Sequence, residues 1–238
     1  MAHLDRPQQE STRIADRYYE WSSNDQCLKY YNGEENVLVP LDNEEFILLE
    51  HYHVVKGFHQ ASSSGITSNE VFQISKEPMK VRSFKGGLIA EGLYKDNKQV
   101  INNAGGKYHR SIYAVDSRGE IVNIAFKGSA LGGAKSDKAA DGKEHKGWSD
   151  FYNDNNQSIW QGAFKLGPAI ACKSGNVTYS IPNFQMGSKF TTDVYDNVVM
   201  PAAKKLQDYM DNYRNGSADA KHNVTNEPAG EIISRQDF

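Results

Sequence analysis

Residues 44–58 read EEFILLEHYHVVKGF. The run is apolar over long stretches and rich in Val, Ile, Phe and Tyr, which predicts one long β-strand with a kink. Such a strand needs partners, and the sequence on either side supplies them. Upstream, CLKYY (27–31) and NVLVPL (36–41) flank Asn32-Gly33, a hairpin signal. Downstream, SNEVFQIS (68–75), MKVRSF (79–84) and LIAEGLY (88–94) read as strands, with Lys85-Gly86-Gly87 between the last two. KYHRSIYAVD and EIVNIAF follow, joined by Ser117-Arg118-Gly119, and IWQGAFKLGPAIAC and VTYSIPNFQ return to strand character.

Between the strand runs, residues 132–147 (GGAKSDKAADGKEHKG) read as a mobile loop or insertion, and WSDFYNDNNQ (148–157) as a short helix. Residues 192–214 carry the clearest helical period, with Val194, Val198, Ala202, Leu206, Tyr209 and Tyr213 on one face. Pro201 is expected to kink or divide that helix. Residues 1–16 read as a flexible leader, and 215–238 as a disordered tail too polar to bury a core. The fold class expected is therefore mainly β with helical additions. It comprises a barrel-like β domain over 17–191, a C-terminal helix over 192–214 and a tail.

Composition narrows the function. Lys and Arg number 27 against 30 Asp and Glu, a formal charge of −3, which excludes a globally basic nucleic-acid binder but leaves room for a locally basic groove. The 13 Tyr and 10 Phe far outnumber the 3 Trp, and tyrosine suits wet binding surfaces as well as cores. Cys27 and Cys172 form no metal or redox spacing, and a reduced cytoplasmic setting is expected. No signal-peptide pattern or long apolar span is present, so no membrane association is expected.

Strand alternation sorts the chemistry-bearing residues. In MKVRSF, Lys80, Arg82 and Phe84 share a face opposite Met79, Val81 and Ser83. In KYHRSIYAV, Tyr108 and Arg110 share one face, and Lys107, His109 and Tyr113 the other. Residues 17–31, RYYEWSSNDQCLKYY, gather Tyr18, Tyr19, Trp21, Tyr30 and Tyr31 beside Lys29. Cations attract a phosphate backbone and aromatics stack unpaired bases, each stack contributing roughly 1–3 kcal/mol whatever the base. Half-buried strand tyrosines would give the same pattern without a ligand. The clustering favours a single-stranded nucleic-acid surface, with Lys127 and the Trp148 that follows the cationic loop as further contacts.

Other chemistries lack support. His51 and His53 share a strand face near His59 and several acids, yet no HExxH helix or thiolate completes a metal set. The glycine-rich stretches match no phosphate loop, and no nucleophile elbow exists. Neither catalysis, metal nor cofactor is expected. The ending Gln236-Asp237-Phe238 joins an aromatic to negative charge, suiting a pocket with an apolar floor and a basic rim. Asp237 and Phe238 are thus the expected partner-binding residues.

The ordered series YYEWS, KYY, VVKGF, SGITSNEV, GLYKD, GGKYHRSIYAV, NIAFKGSALG and W-x-x-F, from Tyr18 onward, resembles the predicted single-stranded DNA-binding proteins of tailed bacteriophages, notably the crAss-like phages of Bacteroidetes. The resemblance implies an OB-fold-like barrel that binds single-stranded DNA without strong sequence preference. It implies a role in phage replication or recombination, in the cytoplasm of an infected host. It also implies recruitment of replication or recombination proteins through the C-terminal tail, and is compatible with a homo-oligomer. One departure is that residues 132–147 intervene between GSAL and W-x-x-F. A virion or other structural protein with a β-sandwich core is the alternative class.

Overall fold

The computed structural model describes residues 13–32, 37–41 and 44–219. The predicted long strand is present as β4, Glu45–His59, and its pairing with its neighbour shifts register between Leu48 and Glu50. Around it stand β1 (Arg17–Ser22), β2 (Cys27–Asn32), β3 (Val37–Leu41), β5 (Ser64–Ser68), β6 (Met79–Ser83), β7 (Gly87–Gly92), β8 (Gly106–Val115) and β9 (Ile121–Lys127). Hydrogen bonding runs in the order β3-β2-β1-β9-β8-β4-β5-β6-β7. Neighbours are antiparallel except β1 and β9, which are parallel. The path ends at two edges, so the sheet is open, and the barrel expected from the sequence is not closed.

β2 and β3 pair antiparallel as expected, with Leu28 opposite Leu41 and Tyr30 opposite Val39, while Gly33 of the turn signal lies outside the described residues. The turn between β8 and β9 is fixed by Asp116, whose Oδ1 accepts from the backbone of Arg118 and Glu120 at 3.0 Å each. Gly119 supplies the positive φ of +78°. One strand falls elsewhere than expected. Ser64–Ser68, where no strand was expected, is β5, whereas 69–75 of the expected strand contribute only an isolated bridge of Val71 to His53. Pairing with the end of β4 outweighs the turn propensity of Ser and Gly. A helix the sequence reading lacked, α1 (Tyr94–Asn103), follows β7.

The two faces of the sheet are covered differently. On the first, the long hairpin of β10 (Gly162–Ser174) and β11 (Val177–Lys189) packs with α2 (Ser129–Gly132) and α3 (Trp148–Asp154). Tyr19, Phe46, Ile112, Ile124, Phe126, Trp148, Phe164 and Phe184 form the core there. Farther along this face α1 covers Val55, Ile66, Met79 and Val81 with Ile101. We call it the hairpin face. The opposite, helix face is covered at one end only. There α4 (Thr192–Val194) runs through a π turn, Tyr195–Val199, into α5 (Met200–Asp219).

Val199, Ala202, Leu206 and Met210 of this helical run bury against Tyr52, Tyr113, Val115 and Ile121. The wider π turn just before Pro201 accommodates its ring and missing N–H without breaking the run. Helix continues to Asp219, past the expected end at 214. Ile14 and Ala15, placed in the flexible leader by sequence, are buried in the same cluster. Residues 132–147 form an irregular loop closed on itself by the bridge Ala134–His145 and pinned to β10 by the bridge Ala139–Cys172, with Lys173 N–H donating to Lys138 O at 2.7 Å. Among the described residues no helix is long and apolar enough to cross a membrane.

Candidate nucleic-acid interface

Strand pairing places the cations. On the helix face Lys107 of β8 lies directly opposite Lys56 of β4; Lys56 opposes Thr67 of β5, and Thr67 opposes Arg82 of β6. Neighbouring strands stand roughly 4.8 Å apart, so the row crosses about 14 Å of sheet. Lys127 of β9 stands one step aside, opposite His109. Lys56, Arg82, Lys107 and Lys127 make no ion pair among the described residues. Lys80 shares the face but lies 3.8 Å from Glu91, and Lys29 is held 2.6 Å from Asp25. His109, buried under Lys127 and Lys56, is depressed to about 4, first by burial and then by these two charges, although its Nδ1 is within 2.9 Å of Lys107 O. It is therefore neutral at pH 7.

Where α5 crosses the face, a cleft of about 170 Å³ opens beside the row. Tyr18, Tyr113, Tyr209 and Tyr213 line it with Glu70, while Lys56 and Thr67 form its border with the cations. Tyr113 donates to Glu70 at 2.9 Å and Ser111 donates to the other carboxylate oxygen. Burial, then the fields of neighbouring groups including Glu70, push Tyr18 and Tyr213 up to about 12. These phenols are thus neutral, flat and hydrogen-bonding at physiological pH. Tyr209 and Tyr213 are near parallel, their planes 14° apart and centroids 6.3 Å apart.

The structure divides the sequence-predicted contacts. Tyr18, Lys29, Tyr31, Lys80, Arg82, Lys107 and Lys127 fall on the helix face, and Phe84 is 58% exposed just beyond β6. Tyr18 and Tyr31 are about 40% exposed. Tyr19, Trp21, Tyr30, Tyr108, Arg110 and Trp148 belong to the hairpin face instead, so they lie outside this surface. Tyr19 and Trp148 are fully buried, Trp148 packed on Phe126, Phe151, Phe164 and Phe184. Tyr30 stacks edge-on to Tyr19 at 5.5 Å, and Trp21 Nε1 donates to Ser180 O at 3.1 Å. In YYEW, alternation had to put one pair of aromatics inward, and the hairpin of β10 and β11 covers the Tyr19–Trp21 side.

Lys56, Glu70, Tyr209 and Tyr213 were missed as site residues. Lys56 was legible as the polar position of the β4 alternation, but its partner Lys107 lies 51 positions away and needed the fold. Asp237 and Phe238 lie outside the described residues. His51 and His53 do not converge on a third donor, and no group of three metal-capable side chains occurs among the described residues. No protein-family model matches the chain, and neither a curated protein nor a solved structure is significantly similar to it.

Proposed function

We propose that the chain binds single-stranded DNA along the helix face of its sheet, without strong sequence preference, in the service of phage DNA replication or recombination. The observation that carries this reading is Lys56 directly opposite Lys107, with Arg82 in the same row and Lys127 beside it. Like charges facing each other across two strands destabilise a sheet by a few tenths of a kcal/mol or more. A row of them makes physical sense when an anionic chain lies along it. The tyrosine cleft at the end of the row offers faces on which an unpaired base stacks, beside the cations that hold its phosphate. An OB-type barrel would present its groove on a closed sheet. Here an open face fills that role, so the proposal does not depend on closure.

Fluorescence anisotropy with a labelled poly-dT oligonucleotide tests it. Affinity should fall linearly in log salt, with a slope of roughly −0.7 per phosphate contact and so about −3 for four cations. Excess duplex should not displace the oligonucleotide. Lys56→Gln should weaken binding and lower the slope by about 0.7, while leaving thermal stability unchanged or slightly raised. Absence of binding at low salt, or binding unaltered by this substitution, would overturn the proposal.

A further inference from the structure

We propose that Arg110, His53 and Tyr108, on the hairpin face, form a second and separate site that takes the phosphate of a nucleoside monophosphate. Arg110 Nη1 lies 2.5 Å from His53 Nε2, and His53 Nδ1 lies 2.6 Å from the Tyr108 hydroxyl. A guanidinium only donates, so Nε2 must accept. Burial and the Arg110 charge depress His53 to about 4, leaving it neutral. Its single proton therefore sits on Nδ1 and is donated to the Tyr108 oxygen. That leaves the Tyr108 O–H pointing away from the histidine, with no acceptor among the described residues. Arg110 likewise has no carboxylate within ion-pair distance there, and its other N–H groups have no acceptor. The network thus offers donors at both ends and positive charge in a half-buried place, which suits an oxyanion with several acceptor oxygens.

Flat rings flank these donors. Tyr94 lies 5.6 Å from Tyr108, and Trp160, 40% exposed, lies edge-on to Tyr152 at 6.4 Å. Tyr152 in turn lies 4.4 Å from the ring of His51, two residues from His53 on the same strand face. Glu50, whose field also reaches Arg110, accepts from the backbone N–H of His51 at 2.8 Å and lies outside ion-pair distance of the guanidinium. Next to it His51 Nδ1 is buried without a partner. An aromatic ring joined to a phosphate fits this combination better than phosphate alone.

Isothermal titration of the full chain with dTMP, thymidine and inorganic phosphate separates the contributions. The expected result is that dTMP binds and that thymidine and phosphate each bind about tenfold or more weakly. Arg110→Met and Arg110→Lys should each lower dTMP affinity about tenfold, the lysine because it lacks the planar fork. Tyr108→Phe, which keeps the ring and the fold, should lower it several-fold. The pair Lys56→Glu and Lys107→Glu, on the other face, should abolish oligonucleotide binding and leave dTMP binding unchanged. No dTMP binding at millimolar concentration, equal binding of phosphate and dTMP, or loss of dTMP binding in the Lys56/Lys107 variant would each overturn the site. None of these outcomes bears on whether the helix face binds DNA.

Discussion

Adjacent aromatics in this chain have opposite fates. Tyr18 is exposed and lines the cleft, while Tyr19 beside it is fully buried against Phe46 at 6.0 Å. Truncation should therefore separate cleanly. Tyr19→Ala and Trp148→Ala are expected to cost about 3–5 kcal/mol of stability, the usual penalty for emptying an aromatic site in a core. Tyr31→Ala and Phe84→Ala are expected to stay within about 0.5 kcal/mol of the parent. These two should instead lose roughly 1–3 kcal/mol of oligonucleotide affinity for each base they stack. Urea unfolding and anisotropy on the same four variants give the check. A Phe84→Ala protein that binds poly-dT as well as the parent would remove Phe84 from the interface.

Among the elements, the end of β4 makes a very close backbone contact with the start of β8. Gly57 opposes Gly106, and Gly105 stands just before β8 at φ +95°. A Cβ on Gly105 would meet the Phe58 carbonyl oxygen at 2.2 Å. Neither the dihedral nor the gap tolerates a side chain. Gly105→Ala should thus destabilise by about 1–3 kcal/mol. Gly142→Ala, also at positive φ but with open space around it, should cost less. Chemical denaturation of the pair tests this. Because Lys56 adjoins Gly57 and Lys107 lies two positions from Gly105, the Gly105 variant should also lose affinity by shifting the row. Here the glycines set the register that the cations need.

For the whole molecule, three histidines are held neutral by burial. His51 is depressed to about 3 and His109 to about 4, in each case mainly by desolvation, and His53 to about 4. A lowered histidine pKa means the unfolded chain binds more protons between the two values. The contribution to stability is thus fully present above pH 6.5 and is lost as pH falls toward 4. Each fully buried imidazole adds a slope of up to about 1.4 kcal/mol per pH unit in that window. The melting temperature should fall steadily from pH 7 to pH 5. His109→Gln, which cannot titrate, should flatten the decline. A parent melting temperature that is flat across this range would show that these imidazoles are protonated in the folded protein.

The long β4 run, the pairing of β2 with β3 and of β8 with β9, and the apolar stripe of the last helix could all be read from amino-acid order. Each of these is local, a matter of period and turn residues. Alternation also fixed which side chains share a face, as with Lys80 and Arg82 opposite Met79 and Val81. It could not say which face would be covered, because both faces of β1 carry aromatics and each face of β8 carries an aromatic and a cation. Packing settled it, by laying the hairpin of β10 and β11 over Tyr19 and Trp21 and leaving Lys56, Lys107 and Arg82 in a row. Pairing of Lys56 with Lys107 is a contact between distant strands, and no local rule encodes a register set by close packing of glycines.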